Sequence, residues 1–441
     1  MLGPERMCFR FRIFLFGVLC AVVFYPVANA YSETLEQAVK RALSGSPELN
    51  AGQLAVLETE EEKFRARSAW RPDVSLKIKG GRKQSTIETS TVPSDTTSFS
   101  PVSATLSISQ HVFDFGGTSA TIKKSNILNF ISVEQLRKAR QDVIVGAVSA
   151  YIAVWRDLSL FEVAASNEKI LGEQYLATEK RFSMREVTRT DVSQARARLQ
   201  DAISGRIAAD LSLQESLAVY EETIGSVTRL DLIEWSVDML AAYQLPETID
   251  AAKELAYVKN SEMRQLRLQQ QLAKMSVREN KSALLPTVSI EASLSNARNS
   301  FATLKKSTDV TVEGVLTVPL YDSGKSWSKL SSAKIQVRIL LENEKAKKLT
   351  LERKILSLWN TLQRTDGQIS SIKSSVAANE VALQGVRREV EVGTRTTLHL
   401  LDAEKEYVQA LASLVSAAHD KTRSHFLLML ECGILSDAFR N

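Results

Sequence analysis

The chain has 441 residues, 24% of them charged, and a formal net charge of +5. So small an excess, without a concentrated basic patch, argues against a nucleic-acid partner. Only 9 prolines interrupt the chain, which suits long exposed helices.

The first element in chain order is a leader. Arg6, Arg10 and Arg12 precede an apolar run from Ile13 to Tyr25, and Ala28-Asn29-Ala30 supplies a small-residue cleavage site. Residues 1–30 are therefore expected to be a signal peptide. The apolar run falls short of the roughly 20 residues of a membrane-spanning helix. Gly17-Val18-Leu19 before Cys20 does not match a lipoprotein box. Losing the leader would remove Cys8 and Cys20, leave Cys432 without a disulfide partner and lower the net charge to +3, since residues 1–30 carry three Arg and one Glu.

The remainder contains itself twice. Residues 35–76 fall on 249–290 at an offset of 214, with Leu35 on Ile249, Ala38 on Ala252, Pro72 on Pro286 and Val74 on Val288. Beyond the next loop the offset becomes 208, placing Asp114 on Asp322, Gly116 on Gly324, Tyr151 on Trp359, Met184 on Val392 and Ala195 on Ala403. A solenoid unit has about 20–50 residues, so this period means a duplicated half-molecule. Each half reads as helix, strand, loop, strand and long helices.

The strands are expected at about 73–82 and 99–113, and again at about 287–297 and 309–319. Val74, Leu76 and Ile78 alternate with Ser75, Lys77 and Lys79; Val288, Ile290 and Leu294 alternate with Ser289, Glu291 and Ser295. Runs of roughly 9–11 residues with small or charged polar positions match strands that cross an outer membrane at a tilt. A soluble sandwich is the alternative. Stretches 83–98 and 298–308, rich in Ser and Thr, read as loops outside the membrane.

No proline occurs from Ala120 to Ser183 or from Ser328 to Glu391. Each run would make a helix nearly 100 Å long at about 1.5 Å per residue, which suits a coiled-coil pillar. Pro72 and Pro286 stand where helix passes to strand. Asp114-Phe115-Gly116-Gly117 and Asp322-Ser323-Gly324 mark the return from strand to helix, with glycine for the bend and aspartate for the cap. The cluster from Lys345 to Lys348 reads as a solvated helix face. Four strands cannot close a barrel, for which about eight are needed, and lipid does not tolerate open edges. The chain must then complete its barrel with copies of itself.

Catalytic chemistry is not legible. His111, His399, His419 and His425 lack metal-ligand spacing, and there is no phosphate loop or nucleophile elbow. Neither an enzyme nor a cofactor is expected.

Two motifs remain: Arg181-Phe182-Ser183-Met184 followed by Thr190-Asp191-Val192, and Val392-Gly393-Thr394-Arg395-Thr396-Thr397 followed by Leu400-Leu401-Asp402-Ala403. With the duplication and the joints, they make residues 31–441 resemble the TolC-like outer-membrane efflux proteins. The resemblance implies a mixed α and β homotrimer, whose twelve-stranded transmembrane β-barrel takes four strands per chain and continues into a long periplasmic helical tunnel. It implies residence in the outer membrane of a Gram-negative bacterium, in contact with outer-membrane lipid. It also implies a duct that docks tip-first with a periplasmic adaptor (membrane fusion) protein, fed by an inner-membrane ABC or proton-driven transporter. By the same resemblance, residues 226–248, with Trp235 and Pro246, and residues 422–441 form a belt around the tunnel. The repeats are then 31–225 and 249–421.

For cargo, the missing lipid box and short C-terminus point to type I protein secretion; multidrug efflux is the alternative. A periplasmic coiled-coil adaptor would lack lipid-facing strands, and a porin would be nearly all strand. Arg395 and the pair Thr190-Asp191 occupy positions that in relatives link neighbouring helical hairpins and hold the tip shut, with Val390 where a tyrosine often joins them. A bond between Arg395 and Asp191 is expected. Asp402 matches a family aspartate that rings the narrowest point, and His399 replaces a second one. Residues three apart share a helix face. Imidazoles titrate near pH ~6.5, so weakened, pH-sensitive cation selectivity is expected.

Overall fold

The computed structural model describes residues 34–89, 92–225, 236–299 and 305–439. The expected leader and Trp235 lie outside these residues.

Helix α1 (Leu35–Gly45) opens on a capping box: the Thr34 hydroxyl accepts from the Gln37 N–H, and the Gln37 side chain accepts from the Thr34 N–H. Helix α2 (Pro47–Ser68) starts on Ser46 and Pro47, where a helix has no use for the missing donor. Strands β1 (Asp73–Gly80), β2 (Lys83–Thr89), β3 (Val92–Phe99) and β4 (Val102–Phe113) lead to α3 (Gly117–Ser183) and α4 (Arg189–Thr223). A 3-10 turn at Val237–Ala242 precedes the second half. That half comprises α5 (Ile249–Lys259), α6 (Ser261–Ser282), β5 (Thr287–Arg298), β6 (Lys306–Thr317), α7 (Lys325–Glu391) and α8 (Thr397–Cys432), followed by α9 (Leu435–Ala438).

The duplication is geometric as well as textual. Helices α1 and α5 have 11 residues each, α2 and α6 have 22, and α3 and α7 have 67. Left-handed backbone recurs at matched places: Phe115 and Ser323, Gly116 and Gly324, Arg185 and Gly393, Gly225 and Gly433. At Gly433 a Cβ would lie 2.5 Å from the Lys259 carbonyl, and φ is +73°, so conformation and close approach both require glycine there.

One antiparallel sheet runs in the order β1-β4-β5-β6, and the β4–β5 pairing is the seam between the halves. The outer edges of β1 and β6 have no partner strand among the described residues. The strands differ in extent from the sequence expectation: β1 ends at Gly80, β5 at Arg298, and β6 begins at Lys306 within the stretch 298–308 expected as a loop. Proline explains two further bounds. Pro101 delays the start of β4 to Val102, and Pro319 lets β6 stop at Thr317, because neither can donate to a ladder.

Stretch 83–98, expected as a loop, is instead a hairpin: β2 pairs antiparallel with β3 from Lys83↔Phe99 to Thr89↔Val92. Its threonines are β-branched and suit a pleated strand. The Thr86 and Thr96 hydroxyls meet across it at 3.0 Å. Helix α8 runs unbroken through Thr422, whose hydroxyl donates to the Ala418 carbonyl at 2.9 Å. The lysine cluster is only partly solvated: Lys347 pairs with Glu262 on α6, and Lys348 sits 4.5 Å over the Tyr257 ring of α5.

The core lies around the middle of the long helices. Ile144, Tyr151 and Ile152 of α3 pack with Val39 of α1, Tyr220 of α4 and Phe426 of α8, all essentially without exposed surface. Each such side chain contributes about 1.5–3 kcal/mol. A second cluster joins Leu351 and Ile355 of α7 to Ala252, Met263 and Leu428. Tyr243, Phe426 and Phe439 stack with centroids 5.0, 5.4 and 6.1 Å apart, which ties the 3-10 turn and the C-terminus to α8.

Candidate functional site

The sheet has two unlike faces because its register is continuous. Leu76 pairs with Leu106, Leu106 with Leu294, and Leu294 with Val310. Ile108, Ala292 and Val312 follow in the adjacent row. This face is apolar and uncovered: Leu76 is 63% exposed, Ile78 68% and Val310 73%. The opposite face carries Lys77 beside Thr105, Ser293 beside Thr311, and Glu291 directly across from Glu313. Two like charges face to face would be costly against a packed layer, but water accommodates them. One face thus suits hydrocarbon and the other an aqueous lumen.

At the joints the two halves use one device. Pro72 and Pro286 immediately precede β1 and β5. After β4, Asp114 Oδ1 accepts from the Gly116 N–H at 3.1 Å, and Oδ2 accepts from the Thr118 N–H and, at 2.7 Å, its hydroxyl. After β6, Asp322 Oδ2 accepts from the Ser326 N–H at 2.8 Å. Burial pushes the Asp114 carboxyl up, but the Thr118 and Gly116 bonds outweigh it and hold it below its ordinary value. The Ser326 bonds lower Asp322 likewise. Gly116 and Gly324 take the left-handed bend, at φ +91° and +80°.

At the far end, the chain turns between α3 and α4 and between α7 and α8. Asp191 is not bonded to Arg395 within the chain. Its Oδ2 already accepts from the Thr188 N–H and hydroxyl, at 2.8 and 2.7 Å, in the capping box of α4. Arg395 pairs instead with Glu389 of its own hairpin at 2.7 Å. Thr190 is exposed at the start of α4. The expected link is therefore absent inside one chain, because the acid is occupied by its own helix cap and the base has a nearer acid.

His399 and Asp402 do lie on one exposed face of α8. The His399 Nδ1 meets the Thr396 hydroxyl at 2.8 Å. Asp402 is not alone: Arg198 of α4 reaches it at 3.0 Å. Sequence reading missed Arg198, although α4 and α8 both start at the tip, so residues at similar distances from the two turns come together.

It also missed Glu404, buried among three helices. Its Oε1 accepts from Gln174 of α3 at 3.0 Å and faces Arg387 of α7 at 3.5 Å, while Oε2 has no hydrogen bond. Burial pushes this carboxyl up, against the pull of Arg387. A cavity of about 320 Å³ adjoins it between α3, α4 and α8. Arg185, in left-handed backbone at φ 64°, is the third unannounced feature. A side chain there costs roughly 1–2 kcal/mol relative to glycine.

The comparisons fit this geometry. The outer membrane efflux protein family matches residues 38–225 and 253–429. The chain is 28% identical to the outer membrane efflux protein BepC of Brucella suis over 92% of its own length and 86% of that protein. It is 24% identical to the alkaline protease secretion protein AprF of Pseudomonas aeruginosa over 97% of its length and 90% of that protein. The crystal structure of the channel protein CusC superposes with a TM-score of 0.80 at 16% identity, covering 90% of this chain and 92% of that one. With both halves matched by one family model, the chain belongs to the outer membrane efflux proteins, TolC-like channels of the Gram-negative outer membrane with a large periplasmic helical part.

Proposed function

We propose that three copies of this chain close a twelve-stranded barrel and form the exit duct of a tripartite export system. The observation that carries this reading is a four-stranded sheet with two unpaired edges and an uncovered apolar face. Such a sheet is stable in lipid only when another copy satisfies β1 and β6. Substrate would come from an inner-membrane transporter through a periplasmic adaptor bound at the tip. A native mass of one or two chains in detergent, with no conductance in planar bilayers, would exclude the duct.

For cargo, the reading is type I protein secretion, supported by the match to AprF across 97% of the chain. Small-molecule efflux is the second reading, supported by the 20% identity to the antibiotic efflux pump outer membrane protein ArpC of Pseudomonas putida over 72% of this chain. A strain lacking this chain should lose a protein from its culture medium under the first reading; unchanged secreted protein together with new drug sensitivity establishes the second.

At the tip, His399 and Asp402 would ring the narrowest part of the tunnel. Arg395 would reach Thr190 and Asp191 of a neighbouring hairpin only by leaving Glu389. Single-channel conductance tests that lock: Arg395→Ala should conduct more, and unchanged conductance removes it.

A further inference from the structure

The register that makes one face of the sheet apolar continues to the strand ends farthest from the helices. Beyond Leu294↔Val310 the rows on that face run Asn296↔Thr308 and then Val102↔Arg298↔Lys306. Among the described residues of the four strands, Arg298 and Lys306 are the only charged ones on the apolar face, and they stand directly opposite each other. Asp73, Lys77, Lys79, Glu291, Asp309 and Glu313 all alternate onto the lumen side. Side chains paired this way have Cβ atoms about 4.5–5.5 Å apart, and like charges so placed destabilise a sheet.

Both side chains are exposed, and among the described residues neither has an ion pair or a hydrogen bond. Asp309 is on the other face, and Glu88 and Asp95 lie at least four rungs beyond Lys83↔Phe99 in the β2–β3 hairpin. Lys305 adjoins the pair, and Arg82 and Lys83 open that hairpin at the same end of the sheet. Together these cations reach the range of about 4–8 that lipid-binding basic segments carry. Depth agrees with this. From Leu316 to Lys306 is ten residues of β6. That is roughly 33 Å along a strand and about 25 Å across a bilayer at a tilt of ~40°, the height of an outer-membrane apolar band. The helices are periplasmic, so the pair sits at the rim of the band in the outer leaflet.

We propose that Arg298 and Lys306 clamp the phosphate of an outer-leaflet lipid whose acyl chains lie along the apolar rows below them. The proposal rests on the duct reading above. Two cations that repel each other both gain from one phosphate held between them. A guanidinium fork matches phosphate oxygens in bidentate geometry, and the ammonium adds a point charge. Leu294 and Val310, two rows below, begin the surface for the acyl chains, so a lipid is favoured over a free anion.

The test uses the full chain purified in detergent, stripped of lipid and mixed with bisphosphorylated lipid A. Native mass spectrometry counts the lipid that the trimer retains. Enzymatic removal of the lipid's phosphates should cut retention about tenfold. Arg298→Gln combined with Lys306→Gln should cut retention of intact lipid A by about the same factor. Lys77→Gln combined with Lys79→Gln removes as much charge from the opposite face and should leave retention within about twofold. Lys306→Glu, which gives Arg298 an opposite charge across the strands, should lose the lipid without lowering the melting temperature. Excess inorganic phosphate should not displace lipid A, because the acyl chains hold it as well. Equal retention by the two double variants, indifference to the lipid's phosphates, or displacement by inorganic phosphate overturns the proposal and leaves the duct intact. Single chains in place of a trimer overturn the duct and the proposal together.

Discussion

Helices α3 and α7 are copies of one 67-residue element and have gone separate ways. In α3, Ile144, Ala147, Tyr151, Ile152 and Val154 are fully buried against α1, α4 and α8. In α7 the buried residues are few and scattered, from Leu330 through Leu351, Ile355 and Ile369 to Val390, while Trp327, Leu349 and Val381 are 67%, 67% and 71% exposed. The lengths were kept and the surroundings were not. A helix that leaves large apolar side chains in water along its length is unfinished as a single chain. The first half supplies most of the protomer's own core; in the proposed trimer the second would supply a surface for the next copy.

That contrast breaks if core and surface substitutions act alike. Ile144→Ala should lower folding stability by about 2–4 kcal/mol, since the site is fully buried and the cavity remains. Ile355→Ala, equally buried in the second cluster, should cost a similar amount. Thermal melting of the purified protein reads both. Next in size, Leu349→Ser with Val381→Ser should leave the melting of the separate chain within about 0.5 kcal/mol and yet weaken the oligomer. Native mass spectrometry should show the trimer giving way to single chains. An oligomer indifferent to both changes would mean that α7 faces something other than a second copy.

Much of this architecture was legible because it is periodic. Period-two alternation around Val74 and Val288 and proline-free runs after Asp114 and Asp322 are local signals, and the duplication read each of them twice. The hairpin at 83–99 was missed because serine and threonine serve loops and strands equally well, and only the pairing of Lys83 with Phe99 decides. The contacts at the tip were less legible for another reason. Asp191 and Arg395 were matched by position, but a carboxylate three residues after Thr188 is first of all a capping partner, and Arg395 had Glu389 within reach. Arg198 and Glu404 are contacts between helices more than 200 residues apart in sequence, and no local pattern announces them.

The joints offer a sharper version of the same comparison. Asp114 and Asp322 do one job, but Asp114 is buried and makes three bonds, whereas Asp322 is exposed. Asp114→Ala should cost about 1–2 kcal/mol and Asp322→Ala less. Both carboxyls are held below their ordinary values in the folded chain. A depressed folded pKa means that the contribution is complete above the unfolded value, near pH ~4, and fades as pH falls through the folded one. The gap between Asp114→Ala and the unmodified protein should therefore close below about pH 4, as acid titration of the melting temperature would show. A gap unchanged at low pH would assign the loss to packing.

The smallest expected effect separates the inner ends of the two hairpins. Asp402 on α8 corresponds to Gln194 on α4, so only the second half places an acid at this level. Arg198 covers that acid at 3.0 Å, with the two side chains 32% and 54% exposed. A pair so open to solvent contributes about 0–1 kcal/mol to folding, so Arg198→Ala should fold normally. Its effect should appear in transport. Three copies of the chain would then present three uncovered carboxylates where the unmodified duct presents three neutral pairs. If that is worth about 1 kcal/mol to a passing ion, cation-over-anion permeability should rise about fivefold. Reversal potentials in a potassium chloride gradient measure it, and Asp402→Asn added to Arg198→Ala should return the ratio to its starting value. A ratio unmoved by Arg198→Ala would place the pair against a neighbouring helix and leave selectivity to His399 and the rest of the lumen.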